Sequence, residues 1–220
     1  MDIIIGLIGA KQAGKTTAFE TLSRMVPVEE ITLAAKLKDV CSEIFEVPRE
    51  AFDKSHLKEQ SFDIPINLDV SNLNRVFSSY GLRPDYDKFI RPHIGKILYS
   101  PRQIAQYVGT EVLRAFEPDI HCRVAAENCL GTIGIVTDMR FPNEYEYFAK
   151  HSGFIPVYIK NRAAEMAASR DTHSSEAHLK ALAAKAWITI ENNKDINTYK
   201  KKIQEEFSRI LERVYSGASV

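Results

Sequence analysis

The start of the chain carries the strongest constraint, an apolar run that leads directly into a glycine-rich turn. Residues 3–8 are apolar apart from one glycine, and residues 9–16 read GAKQAGKT, the complete pattern G-x-x-x-x-G-K-[ST]. The pattern requires glycines so that N–H groups can point at phosphate oxygens, a lysine for the β- and γ-phosphates, and a hydroxyl for Mg²⁺. These groups are supplied by Gly9, Gly14, Lys15 and Thr16.

The residues on either side of this turn fit the same interpretation. The apolar run predicts a buried strand, and residues 17–22 predict a helix whose N-terminal dipole favours anions. An ordinary glycine turn between a strand and a helix is the structural alternative. The complete motif favours nucleotide binding over that alternative, and it does not identify the reaction.

Composition limits the classes of protein that remain. With 220 residues, 45% of them hydrophobic, we expect one domain over residues 1–220 with room for a small insertion. Lys and Arg together number 29, as do Asp and Glu, so no overall field would attract nucleic acid or an anionic membrane. The three cysteines show no C-x-x-C spacing, which indicates a reducing compartment. We therefore expect a cytoplasmic protein that binds neither nucleic acid nor membrane.

Strand and helix patterns alternate along most of the chain. Strands are predicted at residues 30–33, 134–137, 154–159 and 187–190, and helices at residues 35–45, 122–130 and 196–214. This alternation predicts an α/β fold, a doubly wound parallel sheet flanked by helices. Residues 48–99 lack a regular pattern, and we expect them to form an inserted substrate-binding flap.

A further helix is predicted after residue 100. Ser100 can cap it, Pro101 suits its first position, and Gln103 would complete a capping box. Apolar residues at fourfold spacing predict a buried ridge, formed by Ile104, Val108, Val112 and Phe116. Polar residues at the same spacing lie on another face, namely Arg102, Gln106 and Thr110. Gly109 costs roughly 1 kcal/mol relative to Ala inside a helix, which predicts close approach by a second helix or by a ligand.

Charged residues at three further places are candidates for function. Asp138 follows the predicted strand 134–137, where parallel sheets place ligands and where a Walker B acid meets Mg²⁺. Arg140 could hold a phosphate through two parallel hydrogen bonds. Residues 160–176, with Lys160, Arg162 and Arg170, predict either ordinary surface charge or a lid that closes over the transferring phosphoryl group. A solvated helix face is the favoured interpretation for Lys36, Lys38 and Asp39.

Several motifs, taken together and in order, resemble those of the phage-type deoxynucleoside monophosphate kinases. They are residues 9–16, Leu33-Ala34-x-x-Leu37-Lys38-Asp39, Ser100-Pro101-Arg102-Gln103-x-x-Gln106-x-x-Gly109-Thr110-Glu111, Asp138-x-Arg140-Phe141-Pro142-Asn143-Glu144 and His173-x-Ser175-Glu176. The resemblance covers the chain except residues 48–99. It implies a phosphate-loop fold with a flap and a lid, and Mg²⁺-dependent transfer of the γ-phosphoryl group of ATP to a deoxynucleoside 5′-monophosphate.

The residue patterns and the resemblance together give a set of candidate site residues. The ATP phosphates would contact Gly9, Ala10, Lys11, Ala13, Gly14, Lys15, Thr16 and Thr17. The acceptor would contact Lys38, Asp39, Arg102, Gln106, Gly109, Thr110 and Arg140. The Mg²⁺ ligands would be Thr16 and Asp138, and the catalytic residues would be Lys15, Asp138, Arg140 and Arg170. Family members often carry an aromatic residue near the position of Cys122, and its absence here leaves the preferred base open.

Two other functions fit the same residues. One is a kinase of another small phosphorylated metabolite, such as a coenzyme precursor. The other is an ATP-dependent switch or ATPase that acts on a protein partner. A GTPase would be expected to carry N-K-x-D, which the sequence lacks. ADP release that depends on an acceptor would separate a kinase from a switch. The sequence is also compatible with a homodimer.

Overall fold

The apolar run at the start of the chain forms the central strand of a parallel sheet. The computed structural model describes residues 3–127, 133–168 and 178–215. Its strands are β1 (Ile3–Ile8), β2 (Val28–Ile31), β3 (Ile66–Asn67), β4 (Ile97–Leu98), β5 (Ile133–Val136), β6 (Phe154–Lys160) and β7 (Ile188–Glu191). Five of them pair in the order β2-β5-β1-β6-β7, all in parallel. The predicted doubly wound sheet is confirmed.

Helices follow most of these strands. They are α1 (Lys15–Leu22), α2 (Ala35–Phe45), α3 (Ser55–Lys58), α4 (Val70–Ser79), α5 (Tyr86–Phe89), α6 (Pro101–Gln106), α7 (Ile120–Ala126), α8 (Pro142–Phe148), α9 (Arg162–Ala168), α10 (Leu179–Ala183) and α11 (Ile196–Tyr215). A π-helical segment, Tyr107–Arg114, continues α6, and 3₁₀ turns lie at Arg49–Phe52 and Arg91–His93. Within the described ranges, no helix combines the length and the apolar content needed to cross a bilayer.

The chain divides into two compact units, and the first contains the sheet. This unit comprises residues 1–33 and 125–220. In β1, Ile5 pairs with Ile135 on one side and with Ile155 on the other, so every residue of this strand is buried. The inner face of α11 completes the core with Tyr199, Ile203, Phe207 and Ile210. Ile196, the first residue of this helix, is 55% exposed.

The second unit comprises residues 34–124. Its core joins α2, α4 and the helix after residue 100, and it includes Val40, Phe77, Ile104, Val108 and Val112. The segment 48–99, which the sequence left without a fold, consists of short helices, 3₁₀ turns and the antiparallel pair of β3 and β4. Phe116, predicted in the buried ridge, is only partly buried against this core.

Several predicted boundaries need correction. The second strand is Val28–Ile31 and not residues 30–33, because β2 pairs with β5 from Val28 onwards. The helix predicted over 122–130 is Ile120–Ala126, and residues 128–132 lie outside the described part of the chain. Within the predicted lid, residues Arg162–Ala168 form a helix where the sequence suggested only a connection.

The start of α6 differs in detail from the predicted capping box. Ser100 caps the helix as expected, since its Oγ accepts a hydrogen bond from the Gln103 N–H at 3.3 Å. The Gln103 side chain reaches one residue farther back than predicted, where its Oε1 accepts from the Tyr99 N–H at 2.9 Å. Both bonds satisfy main-chain donors at the point where the chain enters the helix.

Candidate functional site

The phosphate loop occupies the turn between β1 and α1. Gln12 and Gly14 both have positive φ, 65° and 107°, and the Ala13 N–H donates to the Ala10 carbonyl at 3.1 Å. Gly14 is the residue before α1, and no side chain caps the first turn of that helix. A loop with this sequence and position, on a parallel doubly wound sheet, identifies the phosphate-loop NTPase fold.

Each of the two glycines of the motif is required for a different physical reason. A Cβ atom on Gly9 would lie 2.9 Å from the carbonyl oxygen of Ile159, so this position must pass close to β6. A Cβ atom on Gly14 would lie 2.5 Å from Nδ2 of Asn192, and its φ of 107° is also unfavourable for other residues. Either substitution would move the loop backbone.

Lys15, the first residue of α1, turns its side chain back over the loop. Its Nζ donates to the Gly9 carbonyl at 2.5 Å and to the Ala10 carbonyl at 2.9 Å. The ammonium group is therefore held at the loop, where phosphate oxygens are expected to bind. The lysine is half-buried, so it contributes little to the hydrophobic core.

Asp138 lies just beyond β5, which neighbours β1 in the sheet. Its Oδ1 accepts a hydrogen bond from the Leu33 N–H at 3.0 Å, and the carboxylate is half-buried. Parallel neighbours end at the same edge of a sheet, so Asp138 and the phosphate loop share one edge. Thr16 is exposed at the start of α1 on that edge.

The oxygen groups at this edge fit Mg²⁺. The hydroxyl of Thr16 and the carboxylate of Asp138 are hard oxygen ligands, which Mg²⁺ prefers. No group of three or more His, Cys, Asp or Glu side chains that could hold a metal exists among the described residues. A Mg²⁺ ion would therefore need phosphate oxygens and water as further ligands, as is usual for nucleotide-bound Mg²⁺.

Arg140 precedes α8, and its main chain is fixed by a buried acid. Glu144, only 2% exposed, accepts hydrogen bonds from the N–H groups of Arg140 at 2.7 Å and of Phe141 at 2.9 Å. Sequence reasoning gave Glu144 no role. The signal was present, since a Glu two residues after Pro142 is typical of a helix start.

Lys38 and Asp39 belong to an ion-pair network of the second unit. Lys38 Nζ contacts Asp53 Oδ1 at 2.9 Å, and Asp39 Oδ1 contacts Arg49 Nε at 2.5 Å. Arg49 also pairs with Asp53. Partial burial acts to raise the pKa of Asp53. The hydrogen bond and the charge of Lys38 outweigh burial and lower this pKa below its ordinary value. Lys38 and Asp39 are thus ion-paired, whereas the sequence favoured a purely solvated face.

The helix after residue 100 presents its polar groups as predicted, with one change in geometry. Arg102 is half-buried and forms an ion pair with Glu59, while Gln106 and Thr110 are exposed. From Tyr107 onwards the helix is π-helical, with a wider turn than the α-helix that the fourfold spacing assumes.

Gly109 is the point of close approach that the sequence predicted. A Cβ atom there would lie 2.6 Å from Cδ2 of Leu37 on α2, so the approach is between helices. The Gly109 carbonyl also lies 3.2 Å from Nε2 of His121. Because a carbonyl can only accept, Nε2 carries the proton. His121 was not a sequence candidate, and burial lowers its pKa to about 4.

The remaining candidates in the lid lie largely beyond what the structure describes. Arg162 is exposed at the start of α9. Arg170 and the motif residues His173, Ser175 and Glu176 fall outside the described residues. The role of Arg170 as a lid residue stays a prediction, and the sequence assigned no role to the other three.

Two residues that contact the phosphate loop were missed by sequence reasoning. The Asn192 side chain donates to the Ala13 carbonyl at 2.8 Å, and the Tyr199 hydroxyl donates to the Gly14 carbonyl at 3.0 Å. Tyr199 lies in the helix predicted over residues 196–214. No local spacing could have indicated either contact, because each residue lies more than 170 positions from its partner.

Comparison with known proteins supports the resemblance found in the motifs. No protein-family model matches the chain. The chain is 26% identical over 237 aligned positions to a protein of Acanthamoeba polyphaga mimivirus named "Putative deoxynucleotide monophosphate kinase", and the match covers 99% of each. The predicted resemblance is confirmed as a similarity over the full length.

Two solved structures are similar at lower levels. One is dephospho-CoA kinase from Campylobacter jejuni, with a TM-score of 0.46, 13% identity and 99% coverage of both chains. The other is TT1252 from Thermus thermophilus, with a TM-score of 0.48, 16% identity, and coverage of 96% of this chain and 97% of that one. The fold assignment here rests on the sheet order and the phosphate loop themselves.

Proposed function

We propose that this protein transfers the γ-phosphoryl group of ATP to a deoxynucleoside 5′-monophosphate, which gives ADP and the diphosphate. The observation that carries the proposal is the complete phosphate loop, placed at the same sheet edge as the carboxylate of Asp138. The full-length similarity to the mimivirus protein supports the class of acceptor.

The donor would be held at the phosphate loop. The N–H groups at the start of α1 and the ammonium of Lys15 would bind the β- and γ-phosphates. Mg²⁺, bound with Thr16 and Asp138, would neutralise charge on the phosphate oxygens. Phosphoryl transfer needs mainly positioning and electrostatic stabilisation, so these residues suffice for the donor half of the reaction.

Residues of the second unit would bind the acceptor, and Arg140 stays a separate candidate by resemblance alone. Arg102 can hold the acceptor phosphate through two parallel hydrogen bonds, in place of its ion pair with Glu59. Gln106 and Thr110 are exposed on the same helix and can bond polar groups of the nucleotide. Lys38, Asp39 and Gly109 remain acceptor residues by resemblance, and the preferred sugar would be 2′-deoxy.

The test is release of ADP, measured with each deoxynucleoside monophosphate, each matching ribonucleotide and a set of other phosphorylated metabolites. We expect release to depend on a deoxynucleoside monophosphate, with a lower specificity constant for its ribo form. Release that depends only on another phosphorylated metabolite would assign a different acceptor. Release at the same rate without any acceptor would instead favour the ATPase or switch. The Lys15→Ala variant serves as the inactive control.

A further inference from the structure

Two side chains from the last part of the chain contact the carbonyl side of the phosphate loop. Asn192 follows β7, and its Nδ2 donates to the Ala13 carbonyl at 2.8 Å. Tyr199 lies on α11, 1% exposed, and its hydroxyl donates to the Gly14 carbonyl at 3.0 Å. Both contacts lie within the unit that contains the sheet.

These two bonds act on the peptide groups that matter most for phosphate binding. In a trans peptide, the carbonyl of one residue and the N–H of the next are coplanar and point in opposite directions. A carbonyl fixed at Ala13 therefore fixes the N–H of Gly14, and a carbonyl fixed at Gly14 fixes the N–H of Lys15. Phosphate loops bind phosphate through successive N–H groups of this kind.

Asn192 is itself held firmly. Its N–H donates to the Lys160 carbonyl at 2.8 Å, which extends the pairing of β6 and β7. Its carbonyl accepts from Nδ2 of Asn161 at 2.8 Å, and Oδ1 of Asn161 caps α9 at the Ala164 N–H. The side chain of Asn192 is thus presented to the loop from a fixed main chain.

The Tyr199 hydroxyl is suited to act as a permanent hydrogen-bond donor. Burial raises the pKa of its hydroxyl above the ordinary value, so the group stays protonated. The Gly14 carbonyl also accepts from the Ala18 N–H of α1 at 3.0 Å. Tyr199 therefore shares its acceptor with a main-chain donor, whereas the Ala13 carbonyl accepts from the Asn192 side chain.

We propose that Asn192 and Tyr199 are positioning residues for the phosphate loop. They hold the carbonyls of Ala13 and Gly14 so that the N–H groups of Gly14 and Lys15 face the phosphates of the bound donor. The inference rests on the proposed binding of ATP and does not depend on the identity of the acceptor.

The experiment measures binding by isothermal titration calorimetry, with Mg²⁺ and without acceptor. The probes are ATP, inorganic tripolyphosphate and adenosine. We expect Asn192→Ala to weaken binding of ATP and tripolyphosphate about tenfold, with the affinity for adenosine unchanged. Tyr199→Phe should weaken both phosphate ligands less, about threefold, because the Ala18 N–H still holds the Gly14 carbonyl.

Asn193→Ala is the matched control, since Asn193 is the exposed neighbour whose Oδ1 accepts from the Arg162 N–H and not from the loop. It should bind all probes as the wild type does.

The inference would be overturned by any of three results. These are wild-type affinity of Asn192→Ala for tripolyphosphate, an equal loss of phosphate affinity in Asn193→Ala, or a loss of affinity for adenosine as large as that for tripolyphosphate. If Asn192→Ala does not fold, Tyr199→Phe decides, because it keeps the buried ring, and unchanged phosphate binding there overturns the inference. Wild-type protein that binds ATP but phosphorylates no deoxynucleoside monophosphate would refute the proposed function alone.

Discussion

The Asp138 carboxylate accepts a hydrogen bond from the Leu33 main-chain N–H at 3.0 Å, so the acid predicted to serve Mg²⁺ also links the ends of β5 and β2. A test must separate these two roles. Asn in place of Asp retains an oxygen that can accept from Leu33, and it removes the negative charge.

We therefore expect Asp138→Asn to keep the melting temperature of the wild type and to lower kcat at least tenfold, or about 1.4 kcal/mol. Half-maximal activity should require more Mg²⁺. Asp138→Ala should in addition lower the melting temperature, because it leaves the Leu33 N–H without this acceptor. The measurement is activity against Mg²⁺ concentration, with thermal unfolding in parallel. Superimposable Mg²⁺ curves for wild type and Asp138→Asn would assign the residue a structural role only.

Lys15 offers a second prediction. Its ammonium donates to the loop carbonyls of Gly9 and Ala10 and lies outside the hydrophobic core, so its removal should leave the sheet and core intact. We expect Lys15→Ala to lower kcat by a factor on the order of 10³, because the ammonium stabilises charge on the transferring group. Lys36→Ala removes the same charge from an exposed site on α2 and should retain full activity. Near-normal turnover of Lys15→Ala would contradict the assignment of this loop.

Local sequence patterns predicted those parts of the structure that local interactions determine. The motif of residues 9–16, the apolar strand before it and the helix predicted over residues 35–45 each depend on neighbours within a few positions. The contacts of Asn192 and Tyr199 depend on strand order, which brings together residues at opposite ends of the chain. Residues 48–99 gave no pattern because their elements are short, and four of the seven, namely α3, α5, β3 and the 3₁₀ turn at Arg91–His93, bury no residue.

Gly109 shows the same limit of local sequence patterns, which could not decide between close approach by a second helix and close approach by a ligand. A glycine inside a predicted helix indicated close approach but could not name the neighbour, and the structure identifies it as Leu37 on α2. The π-helical turn that surrounds Gly109 was also not predicted, because fourfold spacing assumes an α-helix.

Arg102 provides the prediction for the acceptor. Its guanidinium pairs with Glu59 in the structure, and an acceptor phosphate would compete for the same group. We expect Arg102→Ala to raise KM for a deoxynucleoside monophosphate at least tenfold, about 1.4 kcal/mol, with little change in KM for ATP. Glu59→Gln should leave KM for the acceptor unchanged or lower it, because the guanidinium is then less engaged. An unchanged acceptor KM in Arg102→Ala would remove this residue from the site.

The burial of His121 leads us to expect that the free energy of unfolding depends on pH. The residue is 6% exposed, and burial, aided by the charge of Arg114, lowers its pKa to about 4 although the bond to the Gly109 carbonyl opposes the shift. Its Nδ1 has no hydrogen-bond partner within the described residues. The folded protein therefore keeps this imidazole neutral at pH values where the unfolded chain, with a pKa near 6.5, already binds a proton.

The sign of the effect follows from this difference in proton binding. Stability from His121 is fully present above pH 6.5 and is lost as the pH falls toward 4, because only the unfolded chain takes up the proton there. Between pH 7.5 and pH 4.5 the loss should be on the order of 3 kcal/mol. His121→Gln keeps an N–H donor for Gly109 and cannot titrate, so urea unfolding should show a smaller loss over the same interval. An equal loss in both proteins would show that His121 is not the group responsible.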